Sequence, residues 1–218
     1  VDGDDLRSRV RFCSDTGQIW LHEHRMLLVH AEAQASLRKE LIDTLGMSRA
    51  RGLLLRMGYA SGVRDAELVC TRTAELSDVE AFMTGPQLHS LEGIVCVTPI
   101  RVELDRAAGK FYGEFRWVNS WEGQSHRRQF GIQTEPVCWT QNGYACGYTS
   151  AFMGPLILYK EVECASMDAA THPLAGPPIQ GLEAAGLYRP LLASESFARQ
   201  PPDPHHQVEQ PRSAVRQT

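Results

Sequence analysis

The stretch from Pro136 to His172, PVCWTQNGYACGYTSAFMGPLILYKEVECASMDAATH, constrains this chain most, because it carries two thiols, a carboxylate and an imidazole that one ion could gather. Cys138, Glu161, Cys164 and His172 form a donor set that suits a single tetrahedral zinc ion, which takes sulphur, nitrogen and carboxylate oxygen. Glu161 and Cys164 stand three residues apart, so a tight turn at a strand end can aim both at one point. His172 follows eight residues after Cys164 across small, turn-prone residues, while Cys138 must arrive from an element that folds back. Taken singly these residues keep another reading: a lone buried Cys is usually a small hydrophobe, and a Glu late in a strand usually faces water.

A chain of 218 residues, 43% hydrophobic and 22% charged, is long enough to bury the core of one domain. Eight of its 12 prolines lie from Pro173 onward, and PPDPHHQVEQP can neither sustain a helix nor bury a core. One domain over residues 1–178 and a linker or mobile tail over 179–218 are therefore expected. A net charge of −4 argues against nucleic acid as the main partner, since phosphate binding relies on clustered Lys and Arg. The start, VDGDDLRSRV, is polar and acidic, and no window reaches the roughly eighteen apolar residues of a membrane span. A soluble, cytoplasmic protein without a membrane partner is the expectation, and a start at Val1 points to a trimmed chain. Six irregularly spaced cysteines point to reduced thiols or metal rather than a disulfide framework.

The periodicities predict an α+β fold: N-terminal helices packed on a central antiparallel sheet, with a late helix and strand carrying the metal donors. Ala33, Leu37, Leu41 and Leu45 recur on one face of a helix over about 27–45 that Gly46 closes. A second helix runs from Ser48 to Cys70, where Gly58 and Gly62 either let another backbone approach closely, the favoured reading, or mark a kink. Ser77 caps a short helix that Gly85-Pro86 breaks. Gln18 to Leu21 reads as a strand, as does the alternation of Ile100, Val102 and Leu104 with charged residues. After a hairpin loop the next strand puts Phe111, Gly113, Phe115 and Trp117 on one face. Ser120 to Arg128 is a polar helical connection, Pro136 to Met153 a helix rich in small residues, and Leu156 to Glu163 a strand with Tyr159 and Glu161 on one face.

Seven strings, in order and without evident gaps, resemble the aromatic-effector sensor domain of the phenol-responsive, sigma-54-dependent transcriptional activators: LRKELIDTLG, RARGLLLRMGYASGVRDAEL, GPQLHSLEG, GKFYGEFRW, EPVCW, GYACGYTSAFMG and LYKEVEC. The resemblance spans roughly residues 12 to 178. It implies a dimeric module that binds a small phenol in a closed pocket and holds an adjoining AAA+ ATPase domain inactive until the effector arrives. The same resemblance implies that zinc is held by Cys138, Glu161 and Cys164, with His172 standing where the family has a third cysteine. Imidazole binds zinc at about 2.0–2.1 Å against about 2.3 Å for thiolate, so the substitution needs only a small adjustment. Four protein ligands leave no open position, which makes the ion structural.

By the same resemblance His89 and Trp117 hold the phenol hydroxyl, a neutral imidazole accepting and an indole N–H donating. Phe82, Phe115, Tyr148 and Tyr159 match the aromatic wall of the family's pocket. Read as residues alone, all six also fit an ordinary apolar core with a satisfied core histidine. A zinc enzyme acting on a small aromatic or carbonyl compound is the competing function. Against it, the sequence has no HExxH helix, no nucleophile elbow and no spare metal position. A dimerisation module without an effector is the third possibility.

Overall fold

A computed structural model of the protein describes residues 3–72, 75–167 and 174–179. The first helix, α1 (Gly3–Ser8), leads into β1 (Val10–Cys13), β2 (Gln18–Leu21) and β3 (His24–Met26), which pair antiparallel in that order as a small sheet. Only β2 was foreseen from the sequence, because its neighbours are only four and three residues long. Two long helices follow, α2 (Ala31–Leu45) and α3 (Met47–Arg72), then α4 (Asp78–Leu91). β4 (Cys96–Asp105) and β5 (Lys110–Val118) form the expected hairpin, and α5 (Trp121–Phe130) and α6 (Trp139–Met153) precede β6 (Leu158–Glu161) and β7 (Leu174–Ile179). The second sheet is antiparallel, in the order β4-β5-β7-β6. Among the described residues no helix is long and apolar enough to cross a membrane.

Of the N-terminal helices expected on this sheet, α4 meets it directly, whereas α3 packs along another helix, α6, which also meets the sheet. The spacing of Gly58 and Gly62 is the cause, for a methyl group on either would fall on the backbone carbonyl of Thr140 or Tyr144. Gly143 and Gly147 on α6 stand in the same relation to the carbonyls of Leu55 and Tyr59. Alanine at an exposed helical glycine stabilises by about 0.5–1 kcal/mol. Here the helices must separate instead, so Gly147→Ala is expected to cost about 1–3 kcal/mol. Urea titration checks the sign, and a gain in stability would contradict the close approach.

Gly85-Pro86 does not end α4, which continues to Leu91. Proline removes the N–H that the carbonyl of Phe82 would have accepted. The hydroxyl of Tyr148 takes over, donating to Phe82 O at 2.9 Å and accepting from Gly85 N–H at 3.1 Å. A side chain at Gly85 would occupy the Tyr148 ring. The N-terminus follows expectation, with Ser77 and Glu80 in a reciprocal capping box.

In β5 the face of Gly113, Phe115 and Trp117 is buried as predicted, but in β4 Ile100 is half exposed. A register shift between Pro99 and Arg101 changes the parity, turning Val97, Val102 and Leu104 inward and Ile100 outward. β7 closes the domain expected over residues 1–178, and the linker expected beyond it lies outside the described residues. The pairs of β7 with β5, Phe115 with Ala175 and Arg116 with Leu174, lie before Pro177 and Pro178, so neither proline must donate to β5.

The N-terminus of α6 is capped from outside. Cys138 occupies the cap position without a side-chain cap bond, and buried Glu122 of α5 accepts from Thr140 N–H at 3.0 Å and Gln141 N–H at 3.2 Å. Buried Arg38 of α2 pairs with Glu122, donates to Val137 O at 2.7 Å, and lies 4.2 Å over the Trp139 ring.

Candidate functional site

Six aromatic or imidazole side chains named from the sequence, His89, Trp117, Phe82, Phe115, Tyr148 and Tyr159, line one cavity between α4, α6 and the inner face of the larger sheet. Local structure explains the convergence. His89 sits in the last turn of α4, Phe115 and Trp117 alternate on β5, Tyr148 is on α6, and Tyr159 comes from β6. Their rings pack edge to face or tilted, with centroids 5.6 Å apart for Phe82 and Tyr148 and 6.1 Å for Phe115 and Tyr159. Tyr144, Thr149, Val97 and Pro86 also line the cavity and were not anticipated. The i, i+4 spacing of Tyr144 and Tyr148 on a buried helix was the available signal.

Burial sets the protonation of the wall. His89 is 4% exposed and its pKa is driven down to about 3, so at neutral pH the imidazole is uncharged. The phenols of Tyr148 and Tyr159 are pushed up by burial and stay protonated. Tyr148 is committed to the α4 backbone, and Tyr159 shares a 3.1 Å hydrogen bond with Thr149. Among the described residues, no protein group hydrogen-bonds the ring nitrogens of His89 or the indole N–H of Trp117.

The second constellation lies at the far end of β6, two residues beyond Tyr159. Cys138, Glu161 and Cys164 are buried, and one donor atom from each lies within 4.8 Å of the others. The two Sγ atoms are 3.3 Å apart, and Glu161 Oε2 accepts from Cys138 N–H at 3.1 Å. Ser166 Oγ donates to Cys164 Sγ at 3.3 Å. Burial pushes Cys138 and Glu161 well above their ordinary values, while hydrogen bonds from Cys138 and Ser166 lower Cys164 to about 5. Glu161 Oε1 is buried without a hydrogen-bond partner, as a carboxylate oxygen kept for a cation would be. Two soft sulphurs and this oxygen fit a zinc-type ion, whose thiolate bonds of about 2.3 Å would hold the sulphurs about 3.8 Å apart. His172 lies outside the described residues.

A family described as an activator of aromatic catabolism matches residues 5–105. The chain is 39% identical over 184 residues to the phenol regulator MopR of Acinetobacter guillouiae, covering 84% of this chain and 33% of that protein. It is 43% identical over 163 residues to the transcriptional regulatory protein XylR of Pseudomonas putida, covering 75% of this chain and 29% of that one. The crystal structure of the phenol-responsive sensory domain of the transcription activator PoxR, solved with phenol, superposes with a TM-score of 0.80 at 49% identity, over 85% of this chain and 94% of that domain. The matched family and the 49% identical PoxR sensory domain place the chain among the regulatory sensory domains of transcription activators. The chain belongs to the family of activators of aromatic catabolism. It spans about a third of the length of the curated relatives it matches.

Proposed function

We propose that this chain binds phenol or a small alkylphenol in the cavity, with the ligand hydroxyl between His89 and Trp117. The carrying observation is the pair of polar groups, one acceptor and one donor, left without protein partners in an otherwise aromatic cavity. A phenol hydroxyl needs one of each. Phe82, Phe115, Tyr148 and Tyr159 then supply apolar walls for the ring. In the longer protein, binding would shift a two-state equilibrium read by an adjoining AAA+ ATPase domain, and only differential affinity for the two states can do so. The module acts as a cytoplasmic homodimer of a sigma-54-dependent activator and leaves nucleic acid contact to another domain. Cys138, Glu161 and Cys164, joined by His172, hold a structural zinc that ties the start of α6 to the end of β6. The ion supplies cross-linking alone, since four protein ligands leave no place for a substrate.

Isothermal titration with phenol is expected to give about one site per chain in the micromolar range. His89→Ala and Trp117→Ala should each weaken it about tenfold or more, because each leaves the hydroxyl with an unmade hydrogen bond. Unchanged affinity in both variants would remove the assignment.

A further inference from the structure

His89 is stacked on a second cavity-lining ring. Its imidazole lies face to face with the Tyr144 ring, with centroids 3.9 Å apart and planes 16° from parallel. The Tyr144 hydroxyl in turn donates to Asp65 Oδ2 at 2.6 Å. Asp65 comes from α3, Tyr144 from α6 and His89 from α4, so one carboxylate links three helices at the polar end of the cavity. Asp65 is 5% exposed. A carboxylate brought into such a place without a compensating interaction is strongly disfavoured. Burial raises the Asp65 pKa above the ordinary carboxylate value, and the hydrogen bond from Tyr144 opposes that rise. The Tyr144 ring borders the cavity between two neighbours, stacked on His89 and, with centroids 6.1 Å apart, on Tyr148. Its hydroxyl end is held by Asp65 at 2.6 Å, with the carbonyl of Gly85 a longer second acceptor at 3.4 Å.

We propose that Asp65 is a positioning residue for effector recognition: it pins the Tyr144 ring, and that ring holds the His89 imidazole at the angle from which a ligand hydroxyl is read. This rests on the phenol reading of the cavity. A pin of this kind affects only ligands that use His89. It therefore sets the preference for a hydroxylated aromatic over its isostere without a hydroxyl, and leaves the apolar part of binding alone.

The test is calorimetric titration of the chain with phenol and with toluene. Tyr144→Phe keeps the ring and removes the anchor. It is expected to lower phenol affinity about fivefold, the size of one net hydrogen bond, with toluene affinity within about a factor of two. Asp65→Asn keeps an uncharged acceptor for the Tyr144 hydroxyl and should retain most of the phenol preference. The double variant Tyr144→Phe with Asp65→Leu removes both halves of the bond and leaves no buried unpaired carboxylate. It should reproduce the selectivity of Tyr144→Phe if that single variant does not fold. Equal losses for phenol and toluene would reduce the Asp65–Tyr144 bond to a general packing role and overturn the proposal. An unchanged phenol-to-toluene ratio in Tyr144→Phe and the double variant, beside its collapse in His89→Ala, would overturn the pin while leaving the pocket intact. A wild-type chain that does not prefer phenol would overturn both.

Discussion

Replacing Cys138 with serine is expected to abolish metal binding and, with it, cooperative folding of the chain. Without an ion the three described donors form an uneasy group. Burial holds the Cys138 thiol and the Glu161 carboxyl protonated, while Cys164 is the easily ionised member. A divalent cation would displace the two remaining protons, so affinity should fall as pH falls below neutral and protons compete for the same atoms. Structural zinc contributes on the order of 10 kcal/mol, comparable with the whole stability of a domain of this size. The cross-link is also well placed to matter, because Cys138 starts α6 and Glu161 ends β6. Metal analysis should therefore find about one zinc per wild-type chain, and a chelator should lower its melting temperature sharply. Cys138→Ser and Cys164→Ala should carry no zinc and show no sharp thermal transition. A metal-free wild-type chain that melts cooperatively would end the zinc assignment.

What could be read from the sequence was local pattern. The i, i+4 glycines Gly58 and Gly62 announced a close helix contact because only a missing Cβ permits one, and the structure supplies Thr140 and Tyr144 as the neighbours. The alternation of β5 announced which of its residues face inward. Features that depend on a partner far along the chain stayed hidden. Pro86 signals a helix end unless a donor reaches the orphaned carbonyl, and that donor is the Tyr148 hydroxyl, 62 positions later. Ile100 fits the alternation of β4 but falls where the register shifts, which the strand's own sequence does not reveal. Asp65, Arg38 and Glu122 looked like ordinary charges on helices, since nothing local distinguishes a charge with a buried partner from a solvated one. The family resemblance supplied the six cavity residues. It did not supply Tyr144 or Asp65, which became visible only once α3, α4 and α6 were placed together.

Arg38→Leu is expected to destabilise the chain by about 3–5 kcal/mol, because it leaves the buried carboxylate of Glu122 without its counterion. Glu122 cannot simply turn to water, since it is fully buried and accepts from the backbone of Thr140 and Gln141 at the start of α6. Adding Glu122→Gln should recover much of the loss. The amide oxygen can still cap the helix, while the unpaired charge is gone, so the two substitutions should be strongly non-additive. The pH dependence follows from the direction of the Glu122 shift. Burial raises its pKa from 4.5 and Arg38 opposes that rise, so removing Arg38 raises it further. A raised folded-state pKa means that the native state holds the proton more tightly than the unfolded chain. That contribution is fully present below the unfolded value and is lost as pH rises through the folded value. The deficit of Arg38→Leu relative to wild type should accordingly grow between about pH 5.5 and 7.5 by more than that of the double variant, in which only the change at His126, whose pKa Arg38 also lowers, remains. Chemical denaturation at the two pH values measures both differences. A double variant as unstable as Arg38→Leu would show that the arginine acts through its packing on Trp139 and not through the charge of Glu122.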